Sequence, residues 1–354
     1  MFKSLRYLLL PFSVLYGGII KTRNLLFDKK ILRSAIFNFP LICVGNLAVG
    51  GTGKTPMVEY ILRILEKKYN VATLSRGYKR KTKGFFTADE NTTSEDIGDE
   101  PMQIYTKFPD VTVAVAEERV TAIPQLLFEK PETQAIILDD AYQHREVNAG
   151  LNILLTDSGN LYSNDLLLPA GNLRDARSSS RRANIIIVTK CKPDLSESER
   201  QHIIEQLRPL NHQKIYFTTI EYEIPFHLFT NEKHHLNDEC SVLLITGIAN
   251  PKPIEDWITK IGSAYQLLKF RDHHNYSVKD INEIKNHFSK IESEKKIILT
   301  TEKDAVRLLK FKKELEDLPV FVLPMAHRFL FGKAAEFEKE ILDFVTSFYE
   351  GINQ

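Results

Sequence analysis

Residues 41–62 read LICVGNLAVGGTGKTPMVEYIL. An uninterrupted aliphatic run opens into a turn carrying Gly50, Gly51 and Gly53. Beyond Lys54-Thr55-Pro56, the residues Met57, Val58, Ile61, Leu62 and Leu65 recur at helical spacing. A strand, a glycine turn and a helix in this order make a cradle for phosphate, because the backbone N–H groups and the positive end of the helix face the same point. In such a cradle Lys54 neutralises the β- and γ-phosphates and the Thr55 hydroxyl takes Mg²⁺. Pro56 falls in the first helical turn, where its missing N–H costs nothing. The nucleotide-binding set is therefore Gly50, Gly51, Thr52, Gly53, Lys54 and Thr55. The common loop of this kind is Gly-x-x-x-x-Gly-Lys-Thr, and here Ala48 holds the first glycine position. A glycine turn serving only to let strand and helix approach is the competing reading.

Around this stretch, short apolar runs alternate with helix-period segments: VATLS (71–75), VTVAVA (111–116), AIILDD (135–140), NILLTD (152–157) and NIIIVTK (184–190). Near-continuous β-branched runs suit strands covered on both faces, hence a mostly parallel α/β sheet with helices on both sides and ligands at the carboxyl ends of its strands. A second, shorter series follows in VLLITGIANP (242–251), YQLLKF (265–270) and KIILTTEKDA (296–305). The flanking KIYFTTIEYEI (214–224) and LPVFVLPMAHRF (318–329) alternate like exposed strands and read as a two-stranded linker. The expected organisation is an N-terminal segment over 1–33, a P-loop core over 34–215, a smaller α/β domain with its linker strands over 216–330, and a C-terminal helix within 331–354.

A chain of 354 residues, 43% hydrophobic and 26% charged, folds as a globular protein, and its net charge of +1 gives no overall drive toward nucleic acid. Cys43, Cys191 and Cys240 show no metal-ligand spacing and read as small buried residues in a reducing compartment. The N-terminus departs from this average. Tyr7 to Ile20 carries no charge and is flanked by Lys3, Arg6, Lys21 and Arg23. As a helix it would rise about 21 Å, short of the roughly 30 Å hydrocarbon layer. No small-x-small cleavage pattern follows it. An ordinary core helix is one alternative. The preferred expectation is a segment lying in a membrane interface, apolar face in lipid and cations on anionic headgroups.

A phosphate loop needs a carboxylate at the end of a neighbouring strand, and AIILDD supplies Asp139 and Asp140, close to Mg²⁺ and its waters. TKCKPD (189–194) comes near a guanine-reading signature but places Asp194 two residues late, so ATP is the expected donor. Arg76 and Arg119 follow strand ends and are candidates for anionic groups. Thr-x-x-Asp at 301–304 is a helix-capping pattern.

Eight stretches, VGNLAVGGTGKTP (44–56), SRGY (75–78), GDEP (98–101), DDAYQHR (139–145), LPAGNLRD (168–175), GIANP (247–251), RDHHNY (271–276) and TEKDAVRL (301–308), stand in an order that resembles the tetraacyldisaccharide 4'-kinases of Gram-negative lipid A biosynthesis. Ala141 and Tyr142 stand where that family often has Gly and Phe, Asn172 where it often has Pro, and Asp175 where it often has Glu. The resemblance implies transfer of the ATP γ-phosphoryl group to the 4'-hydroxyl of a tetraacyldisaccharide 1-phosphate. It also implies work at the cytoplasmic face of the inner membrane, with no nucleic acid and no obligatory protein partner. It makes Asp99 the catalytic base with Glu100 beside it, and His273 its partner with His274 as the fallback. Lys54 and Asp139 complete the catalytic set, with Thr55, Asp139 and Asp140 as metal ligands. The resemblance places Arg174 and Asp175 near nucleotide, metal or lipid phosphate, and Glu100, Arg76 and Arg119 stand with them as substrate or phosphate candidates. Capping of the helix that Pro101 begins is the plain alternative for Asp99. Because Asp99 and His273 are far apart in sequence, the site must lie between two domains. A membrane-recruited ATPase or GTPase switch is the alternative function, although such switches often carry a lysine where this chain has Val49.

Overall fold

The computed structural model describes residues 6–350, so Lys3 and the last four positions of the C-terminal segment lie outside the described residues. The larger sheet is built from β1 (Leu41–Asn46), β2 (Val71–Ser75), β3 (Phe86–Thr87), β4 (Thr112–Val115), β5 (Ala135–Asp139), β6 (Leu151–Asp157), β7 (Ile185–Thr189) and β8 (Lys214–Tyr222). The smaller sheet holds β9 (Phe226–His227), β10 (Ser241–Thr246), β11 (Ala264–Lys269), β12 (Lys296–Thr301) and β13 (Val320–Leu323). The chain then returns to the larger sheet as β14 (Met325–Phe329). The nine-stranded order is β14-β8-β7-β6-β1-β5-β2-β4-β3, and the five-stranded order is β9-β13-β12-β10-β11.

The principal helices are α1 (Leu10–Asp28), α2 (Lys54–Leu65), α3 (Asp99–Lys107), α4 (Arg119–Glu129), α5 (Glu197–Leu207), α6 (Lys252–Ile261), α7 (Val278–Ser289), α8 (Glu302–Leu308) and α9 (Ala334–Thr346). The central strands β1, β2, β5 and β7 are buried along their whole length, which is why they read as unbroken aliphatic runs. Met57, Ile61 and Leu65 of α2, Ile104 of α3 and Phe337 and Ile341 of α9 fill one face of the sheet. Ala122, Ile123 and Leu126 of α4 and Leu207 of α5 fill the other. The fold is the expected α/β architecture with helices on both faces of a mostly parallel sheet.

The stretch 318–329 corrects the sequence expectation of one linker strand. Pro324 has no N–H to donate, and the run breaks there into two strands. β13 pairs parallel with β12 in the smaller sheet, while β14 pairs antiparallel with β8. β8 itself pairs parallel with β7 over Lys214–Phe217 and antiparallel with β14 over Thr218–Tyr222, so both crossing strands are integral to the larger sheet.

The N-terminal helix runs unbroken through Gly17-Gly18. A Cβ on Gly17 would meet Leu167 Cδ1 at 2.8 Å, so the glycine permits close docking rather than weakening the helix. Ser13 Oγ donates to Leu167 O at 2.9 Å, Tyr16 OH to Arg174 O at 2.9 Å, and Asn24 Nδ2 to Asp175 Oδ1 at 2.9 Å. The opposite side of α1 presents Phe12, Val14, Leu15 and Ile19, each more than 60% exposed. Among the described residues no helix is long and apolar enough to cross a membrane.

Three helices meet at a buried ionic node. Lys107 of α3 donates to Glu59 Oε2 of α2 at 2.6 Å and also pairs with Glu302 of α8, while Gln103 Nε2 donates to Glu59 Oε1 at 2.7 Å. Burial and the neighbouring Glu59 charge push the Glu302 carboxyl up. This node fixes α2 and α3 beside one another and ties both to the smaller sheet.

Candidate active site

The glycine turn leaves β1 at Asn46 and enters α2 at Lys54. Gly50 and Gly53 hold φ of +109° and +83°, a region that side chains with a Cβ resist. Around Gly50 and Gly51 a Cβ would meet nothing, so that side of the turn is open. Its other side is clamped. Asn46 Nδ2 donates to Thr52 Oγ1 at 2.9 Å, Thr189 Oγ1 donates to Thr52 O at 2.9 Å, and Val49 N donates to Asn172 O at 2.8 Å. His327 of β14 reaches Gly53 O through Nε2 at 2.8 Å and Thr218 Oγ1 through Nδ1 at 2.9 Å. A carbonyl only accepts, so Nε2 carries the proton and the Thr218 hydroxyl donates to Nδ1. Burial lowers the His327 pKa to about 4, which keeps this ring neutral. Thr52, expected to bind nucleotide, spends its hydroxyl and carbonyl within this scaffold.

At the end of β5 two adjacent carboxylates are driven apart. Burial raises the Asp139 carboxyl, and the charges of Glu100 and Asp140 push it further. Its Oδ1 is buried without a hydrogen-bond partner. Burial would raise Asp140 too, but Arg174 and Lys54 outweigh it and bring the carboxyl down to about 2. Arg174 Nη1 donates to Asp140 Oδ2 at 3.0 Å and its Nη2 pairs with Oδ1, while Lys54 Nζ stands 3.6 Å from Oδ1. Arg174 Nη2 also donates to Asn46 Oδ1 at 2.6 Å, linking this ion pair to the turn.

Asp99 reaches the same sheet edge from the other side. The excursion after β2 returns at Gly98, where a Cβ would meet Tyr78 O at 2.9 Å, so α3 starts against the chain that has just left β2. In the sheet β5 lies between β1 and β2. Asp139 therefore stands between the phosphate turn and the strand whose exit adjoins the start of α3, and Glu100, the neighbour of Asp99, bears on it through its charge. Asp99 makes no cap for its own helix. Its Oδ2 lies 3.0 Å from His273 Nδ1, and its Oδ1 accepts from Arg307 Nε at 2.8 Å, with Arg307 Nη2 on Oδ2. Burial pushes Asp99 up, but the bonds and charge of Arg307, then of His273, hold its carboxyl below the usual carboxylate range. His274 lies 3.1 Å from Asp280 and stacks on Phe270, leaving His273 as the histidine at Asp99.

The remaining expected residues divide. Glu100 bears on Asp139 through its charge. Arg119 is 2% exposed; Nη1 donates to Ala116 O at 2.6 Å while Nε and Nη2 have no partner. Burial lowers its pKa to about 10, with Asp139 and Asp140 opposing that fall. Arg76 is exposed beside it. Asp175 spends its carboxylate on Asn24, on the Ala176 N–H and on Arg182, which makes it an anchor for α1. In TKCKPD, Thr189 supports the turn and Lys190 pairs with Asp157 at 2.8 Å. Asn46, His327, Lys303 and Arg307 complete the site and stand outside the residues chosen from sequence.

A glycine turn closed on a lysine, a strand-end carboxylate pair and a third carboxylate paired with histidine define a P-loop phosphotransferase. The sequence profile described as tetraacyldisaccharide-1-P 4'-kinase matches residues 5–346. The chain belongs to that kinase family. The tetraacyldisaccharide 4'-kinase of Flavobacterium johnsoniae is 47% identical over 96% of this chain and 97% of its own length. That of Bacteroides thetaiotaomicron is 42% identical over 95% and 92%. A crystal structure of the Aquifex aeolicus enzyme in complex with ATP superposes with a TM-score of 0.76 at 31% identity, covering 96% of this chain and 99% of that one.

Proposed function

We propose that this enzyme transfers the γ-phosphoryl group of ATP to the 4'-hydroxyl of a tetraacyldisaccharide 1-phosphate, and that the edge formed by the phosphate turn, Asp139 and Asp99 is where it does so. The observation that carries the reading is the meeting of Asp99 with His273 at 3.0 Å, across 174 residues of sequence, on the edge that also holds the glycine turn. In this reading the turn's amides and Lys54 hold the triphosphate. Asp99 accepts the proton of the attacking sugar hydroxyl, the new oxygen–phosphorus bond forms, and the bond to the β–γ bridging oxygen breaks with release of ADP. His273 orients the carboxylate.

The donor set fits a magnesium ion. Asp139 offers a buried, unpartnered carboxylate oxygen among other negative groups, the situation a cation relieves. Among the described residues no cluster of three or more His, Cys, Asp or Glu forms a closed metal site, and Mg²⁺ is typically held by one or two carboxylates plus substrate phosphates. Asp139 and Thr55 would hold it, with Asp140 beside them. When bound it neutralises charge on the β- and γ-phosphates. Incubating the purified enzyme with Mg²⁺-ATP and the disaccharide 1-phosphate will raise the lipid mass by one phosphate. ADP formation with an unaltered lipid would point instead to a switch ATPase.

The exposed stripe of α1 supports a peripheral seat on an anionic membrane surface, the cytoplasmic face of the inner membrane in this reading. Val14, Leu15, Gly18, Ile19, Leu26 and Leu32 line an apolar hollow of about 640 Å³ beside that stripe. Replacing Phe12, Leu15 and Ile19 together by Glu will cut co-sedimentation with phosphatidylglycerol-containing vesicles by about tenfold or more, since each side chain loses lipid burial worth about 1.5–3 kcal/mol. Equal sedimentation of variant and parent would refute the membrane seat.

A further inference from the structure

The geometry points to Lys303 and Arg307 of α8 as a cationic brace that sets the charge of Asp99 and the tautomer of His273. It rests on the reading of Asp99 as base. The two side chains are four residues apart and so project from one face of the helix. Arg307 straddles Asp99, with Nε on one carboxylate oxygen at 2.8 Å and Nη2 on the other. A planar fork of this kind fixes the carboxylate plane as well as its charge.

Lys303 Nζ stands 3.1 Å from His273 Nε2. An ammonium has donors and no lone pair, so Nε2 must accept. The imidazole proton is then on Nδ1, where it donates to Asp99 Oδ2 at 3.0 Å. Arg307 Nη2 lies 3.3 Å from the same Nδ1, but both are donors in this tautomer and form no bond. The brace is itself held. Asp304 is fully buried and accepts from Arg307 Nη1 at 3.3 Å, from Thr246 Oγ1 at 3.1 Å and from Gly247 N at 3.0 Å. His273 N donates to Gly247 O at 3.1 Å, so one carboxylate sets the position of both the arginine and the histidine loop.

The charged and titratable groups around Asp99 come from every packed element. Arg307, Lys303 and Asp304 come from α8, and His273 from the loop after β11. Tyr78 packs edge-on against His273, Lys79 lies over Tyr78, and Glu100 follows Asp99 on α3. Arg307 is the cation in direct contact with the Asp99 carboxylate among the described residues. Its charge works against burial and holds the carboxyl low. A base held low stays ionised at every working pH. When the guanidinium is lost, His273 alone opposes burial, the carboxyl rises, and activity begins to fall as pH drops toward acid.

The test compares four variants by steady-state kinetics across pH. Arg307→Ala is expected to lower kcat about 100-fold with KM for ATP nearly unchanged, and to move the acid limb of kcat/KM to higher pH. Arg307→Lys recovers about tenfold of that loss and moves the limb back, since it restores the charge without the fork. Added guanidinium ion at millimolar concentration restores part of the Arg307→Ala rate. Lys303→Met keeps the unbranched shape of the side chain, one atom shorter, and removes its donor; nitrogen NMR of labelled histidine then shows His273 losing its single Nδ1–H form. Asp99→Asn is the reference. An active Asp99→Asn enzyme would remove the base itself. An inactive Asp99→Asn beside an Arg307→Ala enzyme with the parent rate and pH profile, or an Arg307→Ala loss that neither lysine nor guanidinium relieves, would overturn the brace alone.

Discussion

Asp99→Asn will lower kcat by about 10³-fold or more while KM for ATP stays within about twofold of the parent. The amide keeps the size of the side chain and one acceptor oxygen, so Arg307 retains a partner and α3 keeps its start. On the proposed mechanism, what is lost is the capacity to receive a proton from the sugar hydroxyl. General-base contributions run from about 10² to 10⁴, and this site has a carboxylate oriented from two sides, which argues for the upper part of that range. The measurement is initial-rate kinetics on variant protein whose far-ultraviolet dichroism matches the parent. A kcat within about tenfold of the parent would mean that another group takes the proton.

Lys54→Ala will cost about 10³-fold or more in kcat/KM, and here the loss falls on ATP binding as well as on turnover. The side chain is the cation at the tip of the phosphate turn, and charge that spreads over the transferring group needs it most in the transition state. Stability moves little. Asp140 keeps its two-pronged pair with Arg174, and the turn keeps its clamps from Asn46, Thr189 and His327. Isothermal calorimetry with a non-hydrolysable ATP analogue checks the binding half of this expectation. Parent-like affinity together with parent-like turnover would mean that the turn does not grip the triphosphate.

Much of this site was legible because its pieces are local. Glycines at 50, 51 and 53, the Lys54-Thr55 pair and the two aspartates ending a buried strand each declare themselves within a dozen residues, since turn geometry and strand periodicity are short-range properties. The support was not legible. His327 sits in a stretch that alternates like an exposed strand, and only the pairing of β14 with β8 carries its ring under Gly53. Pro324, the residue that divides that stretch, was a usable signal, because a proline inside a strand-like run marks a break. At 301–304 the capping reading was right in detail: Thr301 Oγ1 accepts from Asp304 N at 3.1 Å. The cap hid the next turn, where Lys303 and Arg307 face the Asp99–His273 pair. Asp175 shows the converse, a motif residue whose carboxylate is spent on holding α1.

The clamp from His327 also has a consequence for the order in which the protein is made. The glycine turn is translated within the first sixth of the chain, yet one of its ring supports leaves the ribosome only after the smaller sheet has been synthesised. α9, which packs on α2, emerges later still. A nascent chain therefore carries the turn long before it can be finished, and nucleotide capture becomes a late event of biosynthesis, coupled to the return of the C-terminal strand.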